Sequence, residues 1–159
     1  MRSRAEDVWV RLLRVVGTLP TLRLLVQNDG PTGHRLEVGS EGWEIVPALG
    51  PDTGEIVVNK KSCGSFHDTD LLQHLTQMGA SRLIIGGCMT QYCVDTTVRR
   101  AVSQGFDVVL VSDGPCTGDA GALRQGQIIA HHNQTLDGFD AGQYSVQIQS
   151  ARDIVFMPA

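Results

Sequence analysis

The sequence predicts a three-layer α/β/α fold on a mainly parallel sheet, and three observations carry that prediction. Short apolar runs alternate with segments of helical period, several runs are apolar on every position, and glycines close the helical segments. Alternating strand and helix favours parallel strands joined by right-handed crossovers, with helices on both faces. At 159 residues the chain suits one ordinary domain, burying roughly 70% of the surface it exposes when unfolded. A single domain over residues 1–159 is therefore expected, with residues 1–23 as its atypical part.

The first segment, "EDVWVRLLRVVG", fits a helix through Val8, Leu12 and Val16, yet Val8, Val10 and Leu12 also alternate as in a strand. Its element type stays open. Residues 24–27 form the first clear strand. The connection over residues 28–46, "NDGPTGHRLEVGSEGWEIV", has no period, and loops of that length are commonly functional. Trp43 and Ile45 would pin it as one wall of a pocket. A strand at 56–58 follows, then a helix through Leu71, Leu72, Leu75 and Met78 stopped by Gly79. Residues 83–85 make a buried strand. Val94, Val98, Ala101 and Val102 mark a helix ending at Gln104 before Gly105. Strands at 108–111 and 145–148 flank a helix over 122–136, whose His131 and His132 suit a helix surface or an oligomer contact.

Composition removes several function classes. Apolar residues are 42% and charged residues 19%, an ordinary globular balance. The formal net charge of −4 and the lack of a dense Lys/Arg run argue against nucleic acid and anionic lipid as partners. No apolar run approaches the ~20 residues that span a bilayer, and no signal-peptide pattern opens the chain, so a cytoplasmic location is expected. Cys63, Cys88, Cys93 and Cys116 form no C-x-x-C pair, and the five histidines have no metal-ligand spacing. Reduced thiols, no metal and no cofactor are the expectation.

In an open parallel sheet, ligands bind beyond the carboxyl ends of the strands. Asp29 follows the first strand, Lys60 and Lys61 the second, the turn at 86–93 the third and Asp113 the fourth. Cys93 falls in the first turn of a predicted helix, where free N–H groups and the helix dipole favour negative charge. A lysine ammonium beside it, for which Lys60 is the candidate, would favour the nucleophilic thiolate further. The residues by themselves favour reading Cys93 as a small buried hydrophobe over a nucleophile.

Two motifs then point to a family. "GGCMTQYCVDTTVRRAVSQGFDVVLVSDG" carries Thr90, Cys93, Val94, Thr97 and Ala101 and ends its strand in Asp113. In "VVNKKSCGSFHDTDLLQHL", Lys60 stands six residues before Phe66. From Val26 onward the chain resembles the isochorismatase-like cysteine hydrolases, the superfamily that includes nicotinamidases and related amide hydrolases, with their Rossmann-like sheet. "GHRLEVGSEGWEIVPAL" is similar to the substrate-loop segment of one cytosolic branch.

That resemblance implies a hydrolase of a small amide or related carbonyl compound, working through a thioester-type intermediate. Cys93 would be the nucleophile and Lys60 the stabilising lysine. The oxyanion hole would use backbone N–H groups of Cys93 and Met89, the latter after a cis peptide joining Cys88 to Met89. Trp43, Phe66, Thr90 and Tyr92 would line the substrate pocket. The resemblance also implies a small-molecule substrate and a homo-oligomer. The isochorismatases proper lack a cysteine at the nucleophile position, which argues against isochorismate as substrate.

One family feature has no match. Family members open with a central strand closed by a catalytic aspartate, and nothing before Leu24 reads that way; Asp7 precedes its apolar run. The N-terminus is therefore expected either to improvise that strand or to start short of it. Asp29 and Asp113 are the substitute carboxylates the sequence offers. An alternative reading follows, a binding or assembly module without turnover. A third, a thiol redox protein, rests on the four cysteines and would join Cys88 to Cys93.

Overall fold

The computed structural model describes residues 13–16 and 22–155. Its elements run β1 (Leu13–Val16), β2 (Leu22–Asn28), β3 (Ile56–Lys60), α1 (Leu71–Gln77), β4 (Arg82–Cys88), α2 (Asp95–Ser103), β5 (Asp107–Cys116), α3 (Gln125–Leu136), β6 (Asp140–Ala141) and β7 (Tyr144–Gln149). A π-helical turn, Thr90–Val94, leads into α2, and short 3-10 turns occupy Pro47–Leu49 and Ala151–Asp153.

The strands form one seven-stranded sheet in the order β3-β2-β1-β4-β5-β7-β6. Pairs β2–β3, β4–β5 and β5–β7 are parallel, as the alternating pattern predicts. The position between β2 and β4 is filled by β1, which runs antiparallel to both neighbours, with Leu13 opposite Leu24 and Ile85, and Val16 opposite Arg82. The N-terminal segment thus improvises the missing strand in reversed direction. The helix reading of that segment does not hold over Leu13–Val16, and its earlier part, with Asp7, lies outside the described residues. Filling this gap matters because an unpaired edge in mid-sheet would leave a row of backbone donors and acceptors without partners.

Both faces of the sheet bury side chains, which is why the strands read as continuous apolar runs. On one face Leu24, Val26, Val58, Leu83, Ile85, Val108, Leu110 and Val146 pack against Leu71 and Leu75 of α1, Val98, Ala101 and Val102 of α2, and Leu136 of α3. The alternate residues Ile84, Val109 and Val111 form a second, smaller cluster with Ile154. Gly79 and Gly105 end α1 and α2 at φ of +63° and +91°, a backbone region glycine enters without steric cost.

Several boundaries differ from expectation. The fourth parallel strand continues to Cys116 and shifts register between Ile85 and Gly87, so Asp113 lies within β5 and not at its end. The helix α3 begins at Gln125, because the Asp119 carboxylate accepts from the Gln125 N–H at 2.8 Å and from Arg124 Nη1 at 2.7 Å, holding residues 119–124 as a bend. Cys93 sits in the π-helical turn ahead of α2.

Candidate functional site

The site gathers at the carboxyl ends of β2, β3 and β4. Asn28 and Lys60 are paired as the last registered residues of β2 and β3. The Lys60 side chain is buried, only 1% exposed, so its ammonium requires acceptors in place of water. It finds them at the Ser62 carbonyl (2.6 Å), the Cys63 carbonyl (3.3 Å), Asn28 Oδ1 (3.3 Å) and Cys93 Sγ (3.1 Å). The sequence-predicted pair, Lys60 and Cys93, therefore meets directly.

Cys93 is delivered by a short, tightly held turn. The Cys88–Met89 peptide is cis. The Met89 carbonyl then accepts from the Tyr92 N–H at 3.1 Å and the Val94 N–H at 3.2 Å. Thr90 is buried and donates its hydroxyl to the Cys116 carbonyl at 3.2 Å, tying the turn to the end of β5. The facing segment is anchored from α2: Thr97 Oγ1 accepts from the Ser65 N–H at 3.2 Å and lies 2.8 Å from Ser65 Oγ. These threonines and Ser65 fix the lysine-bearing and cysteine-bearing segments relative to each other.

The remaining predicted residues are placed as follows. Tyr92 is half exposed beside Cys93. Phe66 stacks on Phe106 with ring centroids 6.4 Å apart, a contact with the core. Trp43 donates its indole N–H to Asp29 Oδ1 at 2.8 Å, and its carbonyl accepts from Gln27 Nε2 at 2.7 Å, pinning the 28–46 loop to β2. Within that loop Gly30 lies so close to His34 and the Leu36 carbonyl that an added Cβ would sit 2.6 Å and 2.8 Å from them. An open groove of about 590 Å³ runs along the outer side of this loop, lined by Asp29, Glu37, Val38 and Lys61, and contains neither Lys60 nor Cys93.

Neither substitute carboxylate touches the sulfur. Asp29 is committed to Trp43 and to Asn59 Nδ2 at 2.9 Å. Asp113 accepts from the Ala151 N–H at 2.9 Å and from Ser150 Oγ at 3.2 Å, contacts that hold its carboxyl below the usual range. Among the described residues no carboxylate bonds or pairs with Lys60 or Cys93. In the reversed β1, Val16 lies opposite Arg82, at the end of β4 away from the site. Also among the described residues, no group of three or more His, Cys, Asp or Glu side chains is arranged to hold a metal ion.

Three features escaped the sequence. Asn28 is an acceptor for Lys60, which depends on strand register. Cys63 is exposed near the site; partial desolvation and the Cys93 charge push its thiol above the ordinary value, against the pull of Lys60. Cys88 interacts with Cys116, its Cα partner across β4 and β5, and not with Cys93. The bond to Cys116 and burial push the Cys88 thiol far up, offset only in part by the Arg35 charge.

The chain is similar to known proteins. Residues 3–134 match the isochorismatase domain model. The secreted isochorismatase effector of Verticillium dahliae is 33% identical over 105 residues, covering 65% of this chain and 55% of that protein. A streptothricin hydrolase of Streptomyces noursei is 36% identical over 94 residues, 59% of this chain and 37% of the relative. The crystal structure of an isochorismatase from Pseudomonas putida superposes with a TM-score of 0.74 at 27% identity, covering 82% of this chain and 66% of that one. The chain spans about half the length of the curated relatives it matches. With the matched domain extending over most of its length and the mainly parallel sheet in common, this chain belongs to the isochorismatase family.

Proposed function

We propose that the chain is a cysteine hydrolase of small amides or related carbonyl compounds, working through a thioester on Cys93. The observation that carries the reading is the 3.1 Å contact between Lys60 Nζ and Cys93 Sγ, with the lysine sealed from water. A half-buried sulfur that accepts a hydrogen bond from a buried ammonium is suited to act as a nucleophile. Relatives named as hydrolases support the same class of chemistry.

In the proposed reaction the Cys93 sulfur forms a C–S bond to the substrate carbonyl carbon, and the carbonyl π pair moves to oxygen. Backbone N–H groups of Cys93 and Met89 receive that oxyanion. Collapse breaks the C–N bond, the amine leaves with a proton drawn from solvent, and water then attacks the thioester to release the acid and free the sulfur. Tyr92, Trp43, Thr90 and Phe66 shape the pocket in this reading. No carboxylate among the described residues is placed to protonate the leaving group, and such general acid help is worth roughly 10²- to 10⁴-fold. Turnover is therefore expected to be slow on poor leaving groups and faster on activated esters and anilides.

The test is a panel of activated amides and esters with mass spectrometry of the quenched protein. An acyl adduct on Cys93, and turnover abolished by Cys93→Ala, are the expected results. A folded protein that shows neither adduct nor turnover across the panel would overturn the hydrolase reading in favour of a binding module.

A further inference from the structure

The ammonium at the centre of the site hangs from the last residue of an edge strand. Among the described strands β3 has a neighbour on one side only, β2, and Lys60 is its final residue, registered with Asn28. Strand ends at a sheet edge open more readily than the middle, since fewer contacts hold them. Lys60 is nevertheless buried, with Nζ 3.1 Å from Cys93 Sγ. That placement requires the last rungs of β2 and β3 to stay closed.

Successive side chains of a strand alternate between its two faces. Val26, Asn28, Val58 and Lys60 point to the side of α1 and α2, whereas Gln27 and Asn59, the register pair one rung earlier, point to the other. On that other side four residues close a ring of hydrogen bonds. Asn59 Nδ2 donates to Asp29 Oδ1 at 2.9 Å and to Gln27 Oε1 at 3.4 Å. Gln27 Nε2 donates to the Trp43 carbonyl at 2.7 Å, and the Trp43 indole N–H donates to Asp29 Oδ1 at 2.8 Å. Asp29 adds a backbone tie, its N–H donating to the Lys60 carbonyl at 2.8 Å. One carboxylate oxygen thus gathers a donor from the neighbouring strand and another from the far end of the 28–46 loop. Its second oxygen, Oδ2, makes no hydrogen bond or ion pair among the described residues.

We propose that Asp29 is a positioning residue: its carboxylate clamps the ends of β2 and β3 from the face opposite Cys93, and so holds Lys60 where the ammonium meets the sulfur. Asp29 itself bonds to neither Cys93 nor the Lys60 ammonium. Its part is that of an acceptor and not of a base, because both bonds that close the ring run to Oδ1. An amide oxygen has the two lone pairs needed to take the same two donors, so the clamp works without the charge. This role rests on Lys60 acting upon Cys93, as the hydrolase reading holds, and adds what keeps the lysine in place.

The experiment follows iodoacetamide labelling of Cys93 in the full chain by peptide mass spectrometry, with amide hydrogen exchange over residues 28–46 and 56–61 measured alongside. In Asp29→Ala, labelling is expected to slow roughly 3- to 10-fold, the rate equivalent of one net hydrogen bond, with faster exchange in both segments. Asp29→Asn is expected to restore the wild-type rate and the wild-type exchange. On a Lys60→Met background, Asp29→Ala is expected to change labelling by less than about twofold, because the two residues act through one contact. Asn59→Ala removes an exposed donor to the same oxygen and is expected to give the same slowing, which keeps the test open should Asp29→Ala fail to fold. An unchanged rate in Asp29→Ala, an asparagine variant as slow as the alanine one, or equal slowing with and without the lysine would overturn the proposal. A wild type whose Cys93 is labelled no faster than the other cysteines is a separate failure, that of the hydrolase reading. Exchange then decides the clamp alone: faster exchange in Asp29→Ala that asparagine reverses supports it, and unchanged exchange overturns it.

Discussion

At the scale of single residues, Lys60 decides the chemistry. Its ammonium is buried with four acceptors around it, one of them sulfur, so its charge is both tolerated and directed. Replacing it by methionine keeps most of the volume and removes the charge. Lys60→Met is expected to lower kcat/KM on an activated substrate on the order of 10²- to 10³-fold, the cost of deleting one oriented electrostatic donor; steady-state kinetics on the folded variant checks this. Asn28→Asp is expected to act in the opposite sense from a helpful base. Its carboxylate would pair with the Lys60 ammonium now shared at 3.3 Å and draw it from Cys93. Slower labelling of Cys93 by iodoacetamide than in the wild type is the predicted outcome, and faster labelling would show that Asn28 does not compete for the lysine.

At the scale of elements, the site is only as rigid as the two turns that carry it. Thr97 of α2 holds Ser65 through its backbone N–H and its hydroxyl, both buried. Thr97→Val keeps the shape and leaves those groups without their partner, a change expected to cost about 1–3 kcal/mol in urea unfolding. The strand β1 is the second structural hinge of the account, because it pairs with β2 on one side and β4 on the other. Proline at Val15 would remove a ladder donor from a central strand, where proline is not tolerated. Val15→Pro is expected to lower the urea midpoint sharply; an unchanged midpoint would place the N-terminal strand outside the sheet. Asp113 bears on the acid limb of stability. Its folded value is depressed by the bond from Ala151, so the stabilisation is present above the ordinary carboxylate range and is lost as the pH falls through and below about 4. Asp113→Asn should flatten that acid dependence in a pH series of thermal melts.

At the scale of the whole molecule, the sequence carried the alternation of elements and the two residues that meet, for identifiable reasons. Strands buried on both faces read as continuous apolar runs, so residues 83–85 and 108–111 could be placed directly, and the glycines at 79 and 105 marked helix ends. Direction was not legible in Leu13–Val16, since four residues with an ambiguous period do not say whether a strand runs parallel or antiparallel. The end of β5 was hidden because its last residues, "SDGPC", look like a turn while pairing past a register shift with Gly87 and Cys88. Lys60 as the partner of Cys93 was suggested by the strand ends and implied by the family resemblance, whereas Asn28 as an acceptor for Lys60 required the strand register. The most direct measurement of the central claim is a site-resolved time course of iodoacetamide labelling at neutral pH, read by mass spectrometry on the wild type and on Lys60→Met. The account predicts that Cys93 is labelled well ahead of Cys63, Cys88 and Cys116, and that this lead collapses when the ammonium is gone. Equal labelling of the cysteines in the wild type, or a Cys93 rate indifferent to the lysine, would contradict it.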